Sequence, residues 1–187
     1  MNNAPLLLRQ LRAWNPWWQE GPDGIGRFGV PDFKRDAYAT IQSTYTRRTQ
    51  AVSIVGMRQI GKTTIMHQSI RELLQQGVPP RLIFFISFED SYLLAKYDHA
   101  TLFHDVIELY AEAILKEDFL TTNAELYFFF DEVHRLPRWA QSVKSYIDRH
   151  APIAFMVSGS ASVGMQTTKG DSLLGRMIEF TLYPFSF

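Results

Sequence analysis

One stretch restricts the fold of this chain more than any other: Gly56-Met57-Arg58-Gln59-Ile60-Gly61-Lys62-Thr63. Its spacing is G-x-x-x-x-G-K-[ST]. A short β-rich run, Ala51–Val55, leads into it. A helical run, Lys62–Gln76, leaves it and stops at Gly77, with Pro79 and Pro80 beyond. The stretch is therefore read as a strand–loop–helix turn. Glycines at Gly56 and Gly61 let the backbone wrap closely. Loop amides and the helix N-terminus then point partial positive charge at one spot. Such a spot suits a phosphate chain, held by the Gly56, Ile60, Gly61, Lys62, Thr63 and Thr64 positions. Lys62 would place a full charge on the outer phosphates, and Thr63 a hydroxyl on Mg²⁺. The competing reading is an ordinary glycine turn with a surface lysine.

The remainder of the chain alternates in texture. Arg81–Phe88, Leu126–Phe130, Pro152–Val157 and Arg176–Leu182 read as strands. Thr101–Lys116 has apolar residues at helical spacing, and Pro137–His150 reads as a helix with proline in its first turn. Strands that are apolar throughout are buried on both faces, so the expected class is α/β: a mainly parallel sheet between helices. Sites in such sheets lie beyond the carboxyl ends of the strands. The groups to consider together are Gly56–Thr63, Glu89-Asp90, Asp131-Glu132 and Ser158-Gly159-Ser160.

Asp131-Glu132 follows the apolar strand LYFFF. Alternation along a strand makes adjacent carboxylates diverge. Asp131 is expected to hold Mg²⁺ through its water shell, and Glu132 to orient an attacking water. Ser158 or Ser160 could place a polar group between the terminal phosphate and that water; a turn of small residues is the alternative. Arg176, after Gly175, could stabilise charge on the leaving phosphates of its own or a neighbouring subunit, or lie in a surface ion pair. Glu89-Asp90 reads best as a solvated strand end.

Composition narrows the class further. The 187 residues carry 19 basic and 19 acidic side chains, which gives no case for a globally basic nucleic-acid binder. Residues 1–50 hold seven Lys/Arg against four Asp/Glu, a difference small enough to be chance. There is no cysteine, so disulfides, thiolate metal sites and a cysteine nucleophile are excluded. A reducing compartment, the cytoplasm, is expected. No apolar run reaches membrane-spanning length. Residues 1–50 are read as an arm and helix that pack on a core of residues 51–187. Within that arm, residues 5–19 suggest a short helix ended at Asn15-Pro16, residues 20–33 a loop, and residues 34–49 a polar helix. Trp17, Trp18 and Phe28 are expected to pack the arm onto the core, with contact to single-stranded nucleic acid as the lesser reading. No histidine pair has metal-ligand spacing with carboxylates. His134 follows the acidic pair as Asp-Glu-Val-His and is read as a local packing or hydrogen-bonding residue, with coupling of ATP to a partner site as the lesser reading.

In order, VGMRQIGKTT, ISFED, YFFFDEVHRLPRWAQSVKSYID, FMVSGSAS and LLGRMIEFTLYPFSF, with the earlier PDFKRDAY, span roughly residues 31–187. With them the chain resembles the AAA-type ATPases of bacteria and archaea that precede a C-terminal domain of unknown function. The resemblance implies a three-layer α/β/α P-loop NTPase core, ATP and Mg²⁺. It implies the roles given above to Lys62, Thr63, Asp131 and Glu132, and it matches Arg176 to the family's Gly-Arg position. Phe33, Arg35 and Tyr38 become candidates for contact with the base. In similar proteins the chain continues past the position of Phe187, so this chain is expected to be an ATPase-only piece with apolar surface near Tyr183–Phe187. The expected reaction is attack of water on the γ-phosphate, coupled to a conformational change. Expected partners are ATP, the C-terminal domain or an unknown protein, and further copies of the chain. A nucleotide-gated switch with little turnover and a motor stimulated by DNA or RNA are the rivals.

Overall fold

A computed structural model describes residues 4–46, 50–118, 122–160 and 175–184. The strands β1 (Ala51–Gly56), β2 (Ile83–Ser87), β3 (Leu126–Asp131), β4 (Ile153–Ser160) and β5 (Met177–Leu182) form one sheet in the order β2-β3-β4-β1-β5. Every pairing is parallel. The helices are α1 (Ala4–Trp14), α2 (Trp17–Glu20), α3 (Ala37–Thr46), α4 (Lys62–Gln75), α5 (Ser91–Lys96), α6 (Leu102–Tyr110) and α7 (Trp139–Asp148).

Period-two alternation sorts the apolar strand residues onto two faces. Phe84, Ile86, Phe128, Phe130, Phe155 and Val157 join residues of α1, α6 and α7 in one core. Ile83, Phe85, Phe129, Met156, Val52 and Ile54 join α3 and α4 in the other. The fold is thus a three-layer α/β/α sandwich. β4 lies between the strand that enters the glycine loop and the strand that ends in the acids, so both loops open on the same edge of the sheet.

The arm is tied to the edge strand β2. The Asn15 side chain donates to Phe85 O at 2.8 Å and accepts from Phe85 N at 2.7 Å, as a neighbouring strand would. Indole nitrogens of Trp17 and Trp18 both donate to Ile83 O, at 3.1 and 2.8 Å. An edge that would template further strand pairing is covered in this way. Trp17 is completely buried, and Phe28 lies against His67 with ring centroids 4.3 Å apart. Trp17 therefore offers no face for a base to stack on.

Several local expectations change. Residues Gly21–Phe28 form a 3-10 helix rather than a loop. The helix after Thr101 ends at Tyr110 and passes into a wider π-type turn, Ala111–Leu115. α7 starts at Trp139, so Pro137 precedes the helix and a 3-10 turn, Val133–Arg135, fills the gap. α5 is additional: the Asp90 carboxylate accepts from Tyr92 N at 2.8 Å and Leu93 N at 3.3 Å, a side-chain N-cap. Near the end of the described chain Tyr183 is 72% exposed; Phe185 and Phe187 lie outside the described residues. Among the described residues, no helix is long and apolar enough to cross a membrane.

Candidate functional site

The glycine loop joins β1 to α4 at the carboxyl edge. Its glycines are needed for different reasons. A Cβ on Gly56 would sit 2.9 Å from Leu182 O and 3.0 Å from Ile60 Cγ2, so the loop starts against the neighbouring strand with no space for a side chain. Gly61 has φ +100°, a left-handed backbone that L side chains rarely adopt, and it caps α4. No side chain caps that helix N-terminus. The first-turn amides at Lys62, Thr63 and Thr64 are the ones an α-helix leaves without internal partners.

Lys62 is buried, with 4% of its side chain exposed. Its ammonium donates to Met57 O at 3.1 Å and Gly56 O at 3.3 Å, and it lies 3.2 Å from Glu132 Oε1. A buried cation needs such partners, because unpaired burial costs several kcal/mol.

Asp131 ends β3 and is nearly fully buried. Thr63 Oγ1 donates to Asp131 Oδ2 at 2.9 Å and Ser87 Oγ donates to the same oxygen at 3.3 Å. Ser158 Oγ donates to Oδ1. Burial pushes the Asp131 carboxyl above its ordinary value; the hydroxyls of Ser158 and Thr63 oppose this, Glu132 adds to it, and Lys62 opposes it. A hard cation fits this donor set. Mg²⁺ is held by one or two carboxylates and keeps several waters, and Asp131 beside Thr63 supplies one carboxylate and one hydroxyl. Among the described residues no group of three or more His, Cys, Asp or Glu could cage an ion, so phosphate oxygens and water would complete the shell.

Glu132 sits at φ 52°, ψ 38°. This left-handed turn takes the chain off the strand and swings the side chain toward Lys62. Its amide donates to Ser158 Oγ at 2.9 Å. Its second oxygen, Oε2, lies 3.5 Å from His134 Nδ1.

The sheet edge thus brings together Gly56, Ile60, Gly61, Lys62, Thr63, Thr64, Asp131 and Glu132. Two expected residues are placed differently. Ser158 is fully buried and its hydroxyl hydrogen-bonds to both acidic residues. Ser160 is half-buried at the end of β4, in register with Gly56. Arg176 is at the opposite edge. Ala51 faces Met177 and Gly56 faces Leu182 in the β1–β5 ladder, so Arg176 lies about six residue steps, roughly 20 Å, from the loop. It pairs there with Asp148. An arginine cannot span that distance to phosphates on its own subunit. Glu89 pairs with Arg58 of the glycine loop on the surface. Ser87 was not anticipated. Its only signal was a polar residue near the end of an apolar strand.

Beside the loop, a cleft of about 300 Å³ is lined by Phe33, Arg35, Ala37, Leu182 and Tyr183 among others. Arg35 Nη1 donates to Tyr183 O at 2.8 Å across it, and Phe33 is 66% exposed. Tyr38 does not reach it: its ring is buried and its hydroxyl donates to Glu72 Oε2 at 2.9 Å.

Comparison with known proteins places these features in a group. A family model described as an AAA domain matches residues 48–187. An uncharacterized protein of Haemophilus influenzae is 25% identical over 134 residues, which cover 72% of this chain and 31% of that protein. The chain thus spans about a third of the length of that curated relative. Among solved structures, the Hsp104:casein complex of S. cerevisiae in its extended conformation aligns with a TM-score of 0.55 and 20% identity, over 86% of this chain and 29% of that one. C. elegans PCH-2 aligns with a TM-score of 0.47 and 13% identity, over 79% and 41% of the respective chains.

Proposed function

The chain belongs to the AAA domain family, a nucleotide-binding core of the ATPase type, and on that premise we propose that it binds ATP with Mg²⁺ and hydrolyses the γ-phosphate. The observation that carries the reading is the meeting of Lys62, Thr63, Asp131 and Glu132 at one sheet edge. In this reading Lys62 exchanges its carbonyl and carboxylate partners for the β- and γ-phosphates. The loop amides and the first turn of α4 hold the remaining phosphate oxygens. Thr63 and Asp131 would hold Mg²⁺, which supplies charge neutralisation between the β- and γ-phosphates when bound. Glu132 polarises a water aimed at the γ-phosphorus. The water oxygen bonds to phosphorus as the bond to the β-phosphate oxygen breaks, and ADP leaves. Catalysis is by positioning and charge stabilisation, without a covalent intermediate. Ser160, rather than Ser158, is the polar group proposed near that water. The cleft beside Leu182 is proposed to take the base, with Phe33 against its face.

Coupling to a conformational change follows from the exchange at Lys62. When the ammonium leaves Glu132, the loop after β3 loses one of its ties, and so does the contact from the glycine loop. The consumer of that motion is proposed to be a protein partner or the remaining part of a longer chain, and self-assembly is compatible with it. The test is calorimetric titration with ATP and Mg²⁺ together with phosphate-release kinetics. Lys62→Ala is expected to weaken binding by roughly 10- to 100-fold, the value of a charge-assisted contact. Equal heats for Lys62→Ala and the unaltered protein would remove the basis of the reading.

A further inference from the structure

We propose that His134 is a positioning residue for Glu132, taking over one carboxylate oxygen when Lys62 turns to the phosphates. The inference rests on the hydrolase reading above and adds a residue to it.

Glu132 lies between two nitrogens. Lys62 Nζ is 3.2 Å from Oε1 and His134 Nδ1 is 3.5 Å from Oε2. Both side chains of the Glu132–His134 pair are largely buried, 15% and 16% exposed. His134 Nδ1 makes no hydrogen bond, although it is shielded from solvent. A buried polar atom without a partner is costly, and rare enough in folded proteins to need a reason. Here the Glu132 carboxylate lies 3.5 Å away, about half an ångström beyond good hydrogen-bond distance.

The backbone keeps the two residues close. Glu132 is left-handed at φ 52°, and Val133–Arg135 form a 3-10 turn. The Glu132 amide is anchored to Ser158. This places the imidazole beside the carboxylate it follows by two positions. While Lys62 holds Oε1, the carboxylate is drawn toward the glycine loop and the His134 contact stays long. Once Lys62 is engaged elsewhere, Glu132 needs a donor to fix its rotamer, and the Nδ1–H tautomer of His134 supplies it. One oxygen is then tied and the other is left to a water. A free carboxylate would sample several rotamers, and misplacement by about 1 Å can cost about 100-fold in rate.

The charged groups acting on His134 are Glu132, Arg135, Lys62 and Asp131. Burial lowers its ordinary pKa first; Glu132 and Asp131 raise it, while Arg135 and Lys62 lower it. His134 therefore reports on its carboxylate neighbour.

The experiment uses the full chain in two arms. In the first, steady-state phosphate release and ATP affinity are measured for the unaltered protein, His134→Ala and His134→Asn, whose amide nitrogen can stand in for Nδ1. The expected result is a kcat lower by roughly 10- to 100-fold in His134→Ala with unchanged ATP affinity, and recovery of most of the turnover in His134→Asn. In the second arm, the His134 imidazole is titrated by NMR in the unaltered protein and in Glu132→Gln. Its pKa is expected to fall when the carboxylate charge is removed. Unchanged kcat in His134→Ala, or a titration indifferent to Glu132→Gln, overturns the inference while leaving the hydrolase reading intact. An unaltered protein that binds ATP and releases no phosphate overturns the hydrolase reading, and the inference with it.

Discussion

The two ends of β1 hold charged residues in opposite ways. At the carboxyl end, Lys62, Asp131 and Glu132 are mostly buried, and each is tied by backbone carbonyls, hydroxyls or an opposite charge. At the amino end, Arg176 and Lys144 both pair with Asp148, with 39–41% of each side chain exposed. Solvent screens the second group, so its ion pairs are worth about 0–1 kcal/mol. The first group is desolvated, so its energies are larger and every missing partner is felt. The same residue types are thus desolvated and tied at one edge and solvent-screened at the other. A functional candidate is recognised less by its charge than by what it costs to keep that charge where it is.

The largest effect is expected at the buried end. Glu132→Gln keeps the shape and removes the base, so phosphate release should fall by roughly 10²- to 10⁴-fold while ATP still binds. Single-turnover kinetics with calorimetry will separate the two quantities. If turnover persists in Glu132→Gln, the buried edge is not poised as described, and the contrast between the edges loses its functional meaning.

A second test concerns protons. His67 lies on α4, one turn beyond the loop, between Phe28 and Phe85. Burial lowers its pKa from 6.5 to about 4. The folded state therefore prefers the neutral ring, and the unfolded chain binds a proton first as pH falls. Stability attributable to this site is present above pH 6.5 and is lost between about pH 6.5 and pH 4. The loss amounts to about 3 kcal/mol. Thermal melts across that range should show a steeper acid decline in the unaltered protein than in His67→Phe. Parallel declines would show that the helix behind the loop is not proton-sensitive.

Ser158→Ala should act at an intermediate level. It removes the hydroxyl that donates to Asp131 and accepts from the Glu132 amide. A cost of about 1–3 kcal/mol in stability is expected, since a buried donor and acceptor both lose their partner. Turnover should fall more than ATP affinity, because the backbone at Glu132 loses its anchor. Loss of affinity alone would mean that Ser158 faces the phosphates after all.

These contrasts show what could be read along the chain and what could not. The glycine loop, the strand before it and the acidic pair were legible because local sequence carries their geometry: glycines where the backbone turns, and an apolar run where a strand is buried on both faces. The three-layer order followed from the same runs. The hydrogen bonds of Ser158 to both acids were not legible, because what a strand-end hydroxyl meets depends on which strand lies beside it. Asn15 was missed for a similar reason. It reads as a helix terminator, yet its amide completes the edge of β2, a partner 70 residues away. Which edge Arg176 occupies was not legible, since Gly-Arg before a strand says nothing of strand direction. The direction comes from the parallel ladder, which puts residues before β5 at the amino end. Gly21–Phe28 reads as a glycine- and proline-rich loop, and its 3-10 winding follows from docking: a Cβ on Gly24 would lie 2.6 Å from Trp17 N, so the turn closes only around a glycine.

The smallest expected effect tests the other edge. Arg176→Ala removes an ion pair to Asp148 that is about 40% exposed on both sides. Stability should change by no more than about 1 kcal/mol, and a parallel Asp148→Ala variant should match it. Phosphate release measured at low protein concentration should be unchanged, because Arg176 stands about 20 Å from the loop of its own subunit. Concentration makes this small effect informative. An arginine that completed a neighbour's site would leave turnover unchanged when protein is dilute and would reduce it once copies associate. A loss in Arg176→Ala that grows with protein concentration would therefore move Arg176 from the surface edge to a site shared between subunits. Two superimposable concentration curves would confine the chemistry to the carboxyl edge.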